Sequence, residues 1–382
     1  MRGAQRARSC TRSSRFKAVA SRIVVFGATG YTGRLVVDAL VERGVQPVLA
    51  ARNVERLRAL GDELGGLEIA VADVSRPESV QALVEPGDVL VSTVGPFGRW
   101  GDPAAEAAVT VGAHYLDSTG EAPFIRRIFE EYGPRAESAR IGMLTAFGYD
   151  WVPGNLAGGL ALREAGDAAT RVEIGYFITG RARPSGGTAA TFAAGMLDPA
   201  FAWREGRIKT ERAARRVARF EVEERRRPAF SVGSSEHLAL PRLQPGLREV
   251  DVYLGWFGPL AGPMQAISAG TAIATAIPWV SRGLDALMSR AVKGSTGGPD
   301  AAERVRSGSH IVARAGAEDG TTLAEVHVAG RNVYDFSGAI LAWGAQTAAS
   351  TGLKGAGALG PVDAFGLDEL EAGCREAGIE RV

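Results

Sequence analysis

At 382 residues the chain is longer than a single hydrophobic core usually supports, so two domains are expected. A formal net charge of +1 and a hydrophobic fraction of 46% are ordinary for a globular protein and give no indication of a nucleic-acid partner. The two cysteines, Cys10 and Cys374, lie near opposite ends and the four histidines are isolated, so neither a disulfide framework nor a metal site is predicted. A reducing, cytoplasmic compartment is the default expectation.

Residues 1–20 contain six basic residues and no acidic one, and no apolar segment follows them. This pattern excludes a secretory signal peptide and is compatible with an organelle transit peptide. A disordered basic tail, or translation from an upstream start codon, explains it better. The fold is expected to begin at about Ser21.

The first predicted element is a strand over Ile23–Phe26, whose continuous apolar residues suit a parallel strand buried on both faces. A glycine-rich turn and an amphipathic helix follow directly. Glycine lets the backbone reach positive φ and lets a pyrophosphate approach closely, while the helix start offers free N–H groups and a positive dipole end. The sequence therefore predicts a dinucleotide phosphate site formed by Gly27, Thr29, Gly30, Tyr31, Thr32 and Gly33.

Strands and helices then alternate as far as residue 150. Further strands are predicted at 46–51, 68–72, 88–94, 114–117 and 141–147, and helices at 53–64, 77–84, 104–111 and 124–139. This alternation is typical of a Rossmann-type, doubly wound parallel sheet over residues 21–150.

The end of the second strand indicates which dinucleotide is bound. An NAD site has an acidic residue there to accept the ribose 2′-OH, whereas this chain has Arg52 and Asn53. A guanidinium can donate two hydrogen bonds to a charged 2′-phosphate, whereas a neutral hydroxyl would make poor use of its charge and its donors. NADP(H) is therefore the predicted cofactor, with Arg52 as the main contact and Asn53 as a helper.

Two later strand ends complete the predicted cofactor site. Asp73 and Val74 follow the third strand and fit the adenine rim, although Asp73 fits equally well as a helix N-cap. The residues after the fourth strand are small enough to leave room for the nicotinamide ribose, and they are Thr93, Val94, Gly95 and Pro96.

The pattern changes near Pro153, where a second, α+β domain over 151–350 is predicted. Strands at 171–179, 249–256, 309–315 and 322–329, without long helices between them, indicate a mostly antiparallel sheet. Helices are predicted at 154–164, 188–196, 264–292 and 335–350, and the arginine-rich stretch 203–228 is predicted to be irregular and solvated. Residues 351–382 are expected to be glycine-rich coil and then a helix, and to pack back on the first domain.

The segment 252–281 has no charged residue. Its glycines, prolines and alanines favour a strand, a turn and a buried helix over a transmembrane span. Peripheral contact with lipid stays open as an alternative.

Motifs along the chain resemble those of the saccharopine dehydrogenase-like oxidoreductases, including their trans-acting enoyl reductase branch. The matching stretches are 27–33 (GATGYTG), 50–53 (AARN), 94–97 (VGPF), 114–121 (HYLDSTGE), 148–153 (GYDWVP) and 360–366 (GPVDAFG). The resemblance implies an NADP-binding Rossmann domain, an inserted substrate domain, a homodimer, and reduction of a C=C or C=N bond. The chain departs from the usual family pattern at Trp151 and at Gly154-Asn155, in the region of the substrate pocket.

Two turns at the predicted ligand-facing edge supply candidate catalytic residues. Reduction of an imine or enone needs a proton donor near the nicotinamide. Tyr149 is the predicted donor or orienting group, with Asp150 or Glu121 beside it. The alternative is that Tyr149 belongs to the core and that the acids cap helices.

The sequence thus predicts an NADPH-dependent reductase with a small-molecule or carrier-bound substrate that is lipid-like or derived from an amino acid. The alternative is a non-catalytic, NADP-binding or membrane-associated scaffold, which the charge-free segment 252–281 motivates.

Overall fold

The structure, a computed structural model, describes residues 21–181, 199–256, 265 and 297–382. The described strands are β1 (Ile23–Phe26), β2 (Val48–Ala51), β3 (Ile69–Val71), β4 (Val89–Ser92), β5 (His114–Asp117), β6 (Gly142–Leu144), β7 (Arg171–Gly180), β8 (Pro199–Arg204), β9 (Arg207–Arg212), β10 (Val217–Val222), β11 (Arg225–Ser231), β12 (Glu249–Leu254), β13 (Ser307–Gly316), β14 (Thr322–Gly330), β15 (Gly357–Ala358) and β16 (Ile379–Arg381).

The described α-helices are α1 (Tyr31–Glu42), α2 (Val54–Glu63), α3 (Pro77–Gln81), α4 (Phe97–Trp100), α5 (Asp102–Val111), α6 (Ala122–Arg127), α7 (Gly133–Ala139), α8 (Val152–Ala165), α9 (Glu236–Leu243), α10 (Ala301–Arg304), α11 (Val333–Ser350), α12 (Pro361–Phe365) and α13 (Leu367–Glu376). A π-helical turn, Ile128–Tyr132, joins α6 to α7, so the helix predicted over 124–139 is interrupted.

The first sheet has seven parallel strands in the order β15-β6-β5-β4-β1-β2-β3. Every residue of β1, β2 and β4 is buried, as their continuous apolar sequences predict for strands covered on both faces. The predicted Rossmann-type sheet is confirmed, and β1 lies at its centre with β2 and β4 as neighbours. The carboxyl end of β1 therefore opens the edge at which dinucleotides bind in such sheets.

The second sheet has nine strands, and its central path is β10-β11-β12-β7-β13-β14-β16. The β12–β7 pair is parallel and the other described pairs are antiparallel. The predicted α+β architecture with a mostly antiparallel sheet is confirmed. Helix α8 lies on one face of this sheet, against β13, β14 and β7.

The prediction of an irregular, arginine-rich stretch over 203–228 is wrong, because this stretch belongs to strands β8 to β11. Two of its arginines are neutralised at the buried carboxylate of Asp251, which Arg204 and Arg216 both contact. Pairing of this kind lets charged residues occupy a sheet position that hydropathy alone would assign to solvent.

Helix α11 packs chiefly against α1 and β4 of the first sheet, although the sequence pattern predicts it on the second sheet. A Cβ atom on Gly338 would lie 2.9 Å from Leu35 Cβ, and one on Gly344 would lie 2.4 Å from Phe147 Cε1. The close approach of the helix backbone to the first sheet therefore depends on these glycines.

Residues 351–382 contribute to both sheets. Strand β15 pairs with β6, whereas β16 pairs with β14 of the second sheet. The predicted coil at 352–366 also contains β15 and α12. The chain end therefore packs against both domains.

Several predicted features lie outside the described residues. They are the basic tail 1–20, the helix at 188–196 and, apart from Gln265, the helix at 264–292. Among the helices that the structure describes, none is both long and apolar enough to cross a membrane.

Candidate functional site

The glycine turn after β1 forms a closely packed cradle with free backbone N–H groups. Gly27 has a φ of +94°, and a Cβ atom there would lie 2.5 Å from Thr93 Oγ1. A Cβ atom on Gly33 would lie 2.1 Å from the carbonyl oxygen of Gly27. Gly30 is the N-cap of α1, and no side chain caps this helix start. The cradle therefore fits a pyrophosphate, with the N–H groups at the start of α1 as donors.

At the end of β2, Arg52 is exposed, and no hydrogen bond or salt bridge to another described residue engages its side chain. Asn53 is the N-cap of α2, and its Oδ1 accepts a hydrogen bond of 2.8 Å from the backbone N–H of Arg56. The acceptor that would serve a ribose hydroxyl is thus used inside the helix cap. Arg52 keeps the position predicted for a 2′-phosphate contact.

Arg56 is a further cationic residue that the sequence pattern did not single out. It lines a cavity of about 610 Å³ together with Thr29 and Gly30 of the glycine turn. It lies in the first turn of α2, three residues after the N-cap Asn53, and only the folded arrangement brings it to the glycine turn.

Asp73 and Val74 follow β3 at the predicted edge. The Asp73 carboxylate accepts hydrogen bonds from Ser75 N at 2.9 Å and Ser75 Oγ at 2.8 Å, and these bonds lower the pKa of Asp73. The N-cap of α3 is Arg76, so Asp73 does not have the predicted alternative role of capping that helix.

The residues that follow β4 begin with Thr93, which contacts the glycine turn, and lead into α4. Thr93 donates from its backbone N–H to the carbonyl oxygen of Phe26 at 2.9 Å, which fixes it against Gly27. Val94 and Gly95 follow, and Pro96 is the N-cap of α4. Thr93 thus supports the cradle directly.

Glu121 holds this loop in place. Its two carboxylate oxygens accept hydrogen bonds of 2.8 Å each from the backbone N–H groups of Phe97 and Gly98. These two hydrogen bonds favour a positioning role for Glu121, which the sequence placed beside the predicted donor Tyr149.

Tyr149 is 2% exposed and lies among the rings of Tyr176, Trp256 and Phe336. Its hydroxyl donates to the carbonyl oxygen of Phe177 at 3.3 Å, and burial raises the pKa of the phenol well above its ordinary value. These contacts are those of a core residue, which is the alternative that the sequence left open for Tyr149.

Asp150 has the properties of a proton donor more clearly. The residue is half-buried, and its Oδ1 atom is buried with no hydrogen-bond partner in the described part of the chain. Burial raises the pKa of Asp150 from 3.8 to about 7. Its Oδ2 would lie 3.1 Å from a Cβ atom on Gly120, so the carboxyl group sits between the turns that follow β5 and β6.

A second buried acid, Glu236 at the start of α9, lies close to this position. Its Oε1 is 2.6 Å from the Tyr176 hydroxyl, which in turn accepts a 2.8 Å hydrogen bond from the backbone N–H of Gly154. Burial raises the pKa of Glu236 to about 8, and its Oε2 has no partner among the described residues. No local sequence signal marks Glu236, because tertiary contacts alone bring it to the start of α8.

The contact between Tyr176 and Glu236 leaves no room for a side chain at Gly154. A Cβ atom on Gly154 would lie 2.1 Å from the Tyr176 hydroxyl and 2.4 Å from Glu236 Oε1. The side-chain amide of Asn155 donates to Trp151 O at 2.9 Å and to Ser235 Oγ at 3.0 Å. In the described ranges no group of three His, Cys, Asp or Glu residues is placed to hold a metal ion.

Comparison with known proteins shows what the chain is similar to. A family model described as NAD(P)H-binding matches residues 27–154, and it confirms the predicted nicotinamide dinucleotide, NADP(H), as the cofactor class. A trans-acting enoyl reductase from Mycobacterium ulcerans is 33% identical over 186 residues, which are 46% of this chain and 44% of the relative. A putative trans-acting enoyl reductase from Mycobacterium tuberculosis is 36% identical over 141 residues, or 35% of this chain and 34% of the relative.

These matches span less than half the length of the curated relatives. Among solved structures, saccharopine dehydrogenase (L-Glu forming) from Saccharomyces cerevisiae has a similar fold with a TM-score of 0.58, 11% identity, and coverage of 95% of this chain and 99% of that one. These findings support the resemblance that the motifs indicated: part of the chain is similar in sequence to trans-acting enoyl reductases, its fold is similar to that of saccharopine dehydrogenase, and residues 27–154 match an NAD(P)H-binding family model.

Proposed function

We propose that this protein is an NADPH-dependent reductase that acts on a carbon–carbon double bond conjugated to a carbonyl group, in a lipid-like or carrier-bound substrate. The names of its relatives support the enoyl group as the substrate class. The observation that carries the proposal is Asp150, a half-buried acid at the ligand-facing edge whose Oδ1 is buried and has no partner among the described residues. A C=N bond of an amino-acid-derived substrate is the second substrate class compatible with this site.

NADPH, when bound, supplies a hydride. Transfer of that hydride to the β-carbon of an enoyl group would leave the α-carbon, next to the carbonyl, in need of a proton. The Asp150 carboxyl donates this proton and is left as a carboxylate, which regains a proton from water. A pKa of about 7 makes both forms accessible at neutral pH, as general acid catalysis requires.

The chain's other residues hold the reactants. The backbone N–H groups of the glycine cradle bind the pyrophosphate, and Arg52 with Arg56 binds the 2′-phosphate. Glu121 fixes the loop that begins α4, and the buried aromatic rings around Tyr149 exclude water beside Asp150. Desolvation keeps the Asp150 carboxyl protonated up to about neutral pH, because its charged form is poorly solvated.

The test is a panel of enoyl thioesters and imino acids assayed by NADPH oxidation. We expect oxidation with at least one enoyl thioester, and a fall of about 10²–10⁴-fold in kcat for Asp150→Asn, the range typical of a lost general acid. The control is Glu121→Gln, which should affect protein stability more than the pH dependence of the rate.

NADPH binding without oxidation in the presence of any member of the panel would contradict the proposal. That result would favour the alternative of a non-catalytic NADP-binding protein. A homodimer and peripheral lipid contact through the charge-free segment 252–281 remain part of the proposal.

A further inference from the structure

The cavity beside the glycine cradle is built from two distant parts of the chain. Its walls come from the glycine turn, from the outer faces of α1 and α2, and from the residues that lead into β13 of the second sheet. The residues that line it are Thr29, Gly30, Tyr31, Arg34, Leu35, Asp38, Arg56, Gly297 and Arg304. The stretch Gly297–Arg304, called the 297–304 segment below, thus reaches the dinucleotide site from the second domain.

The 297–304 segment contacts the glycine turn through Tyr31. The Tyr31 hydroxyl donates a 2.6 Å hydrogen bond to the carbonyl oxygen of Pro299. A Cβ atom on Gly298 would lie 2.6 Å from Tyr31 Cε1, so the backbone of the segment rests directly on the ring. The Tyr31 ring also packs edge-to-face with the ring of Tyr334 in α11, and the two ring centroids are 5.3 Å apart.

Arg304 also connects the 297–304 segment to Tyr31. Its Nη1 donates to the Pro299 carbonyl oxygen at 3.2 Å and to the Tyr31 hydroxyl at 3.4 Å, while its Nε donates to Asp335 Oδ1 at 2.6 Å. Arg304 therefore joins the segment, the glycine turn and α11 in one hydrogen-bonded group.

Tyr31 is the first residue of α1, directly after the Gly30 N-cap. The backbone N–H groups of this first helical turn are the donors that a pyrophosphate requires. Because the Tyr31 ring packs against Gly298 and Tyr334 and its hydroxyl bonds to Pro299, the position of these donors depends on the 297–304 segment.

We propose that Arg304 and Pro299 are positioning residues of the dinucleotide site, which act through the hydroxyl of Tyr31, so that the second domain sets the affinity of the glycine turn for NADPH. The proposal rests on the dinucleotide-binding part of the proposed function and is independent of the substrate. It assigns to the 297–304 segment, which is far from the glycine turn in sequence, a role in NADPH affinity that the glycine motif by itself does not predict.

The test is the dissociation constant of NADPH, measured by fluorescence titration, for Tyr31→Phe. This change removes the hydroxyl and its hydrogen bonds and keeps the ring packing. We expect the dissociation constant to rise about five- to tenfold, the effect of losing roughly one hydrogen bond. The matched control is Tyr132→Phe, which removes a 3.2 Å hydrogen bond to Asp102 elsewhere in the first domain and should leave NADPH affinity unchanged.

A double-mutant cycle separates positioning from direct contact. Arg304→Gln should weaken NADPH binding in the unsubstituted chain and have little further effect in the Tyr31→Phe chain, because both changes break the same connection. Amide hydrogen exchange in residues 297–304 should slow on addition of NADPH to the unsubstituted chain, and less so in Tyr31→Phe.

An unchanged NADPH dissociation constant in Tyr31→Phe would overturn the inference. Fully additive effects of the two substitutions would also overturn it, because Arg304 would then act without Tyr31. Failure of the reductase proposal has a different signature, namely NADPH binding by the unsubstituted chain without oxidation in the presence of any substrate.

Discussion

At the scale of single residues, the ionisable groups of the site differ in their exposure to solvent. Arg52 is exposed and free of described salt bridges, which leaves its guanidinium available to an anion. Glu236 is buried and Asp150 is half-buried, and desolvation raises the pKa of each toward or above neutrality. Buried acids of this kind are common at functional sites because the neutral form can donate a proton.

The cofactor preference is a prediction at this scale. Arg52→Ala and Arg56→Ala should each raise the dissociation constant of NADPH by about tenfold or more, the range expected for a lost charge-assisted hydrogen bond, and change that of NADH less than about twofold. Fluorescence titration with both dinucleotides provides the measurement. Arg58→Ala, an exposed arginine on the same helix, is the control. Equal losses for NADPH and NADH would contradict the assignment to the 2′-phosphate.

Glu236 predicts a specific pH dependence of stability. Its pKa is raised from 4.5 to about 8, so the folded protein keeps a proton that the unfolded chain loses over that interval. The folded state therefore binds more protons between about pH 4.5 and 8, and the free energy of unfolding falls as pH rises through this window. Glu236→Gln removes the titrating group, and with it the decrease in the free energy of unfolding as pH rises.

We expect Glu236→Gln to gain stability relative to the unsubstituted protein from pH 5 to pH 8, by on the order of 3 kcal/mol at the upper end. Denaturant unfolding across this pH range measures the difference. The exposed Glu318→Gln is the control and should show a flat difference. A flat difference for Glu236→Gln as well would mean that its carboxyl is ionised in the folded protein.

At the scale of elements, the strand–turn–helix unit β1–α1 depends on backbone contacts that admit no side chain. Gly33 is in the first turn of α1, and its Cα faces the carbonyl of Gly27. The same unit receives Thr93 from β4, so that three elements meet at one turn.

Gly33→Ala should therefore disrupt the cradle. Its Cβ atom would lie 2.1 Å from Gly27 O, and backbone must move to relieve the overlap. We expect a loss of about 2–4 kcal/mol in unfolding free energy, as for overpacking against backbone, and at least a tenfold loss of NADPH affinity. Thermal unfolding and dinucleotide titration check both. Gly246→Ala, where nothing lies within 4 Å of the new Cβ atom, is the matched control.

Elements of the second domain were less predictable than those of the first. Strands β7, β13 and β14 alternate in sequence and were located almost to the residue. Strands β8 to β11 contain arginines whose partners, such as Asp251, lie on another strand, and hydropathy therefore assigned them to solvent. Such pairs are invisible to local pattern because their residues are 35 or more positions apart.

At the scale of the whole molecule, the two sheets share helices and chain ends. Helix α11 comes after the second sheet's last long strand and yet covers the first sheet, while β15 and β16 divide the chain end between the sheets. The 297–304 segment and Tyr31 add a contact at the cofactor site itself. The arrangement places the carboxyl edge of the first sheet beside α8, α9 and β7, where Asp150, Glu236 and Tyr176 meet.

The sequence by itself determined the Rossmann-type sheet, the glycine cradle, the nicotinamide dinucleotide and the family resemblance, because each depends on a short run of residues whose spacing follows from local geometry. Only the tertiary structure distinguished Asp150 from Tyr149 and Glu121 as the candidate proton donor. Burial and hydrogen-bond partners decide that question: the Tyr149 hydroxyl and the Glu121 oxygens are already bonded, and Asp150 Oδ1 has no partner among the described residues. Only the tertiary structure, likewise, revealed the contact of Glu236 with Tyr176 and that of Tyr31 with Pro299. Both contacts join residues that are far apart in the chain, so they exist only once it has folded.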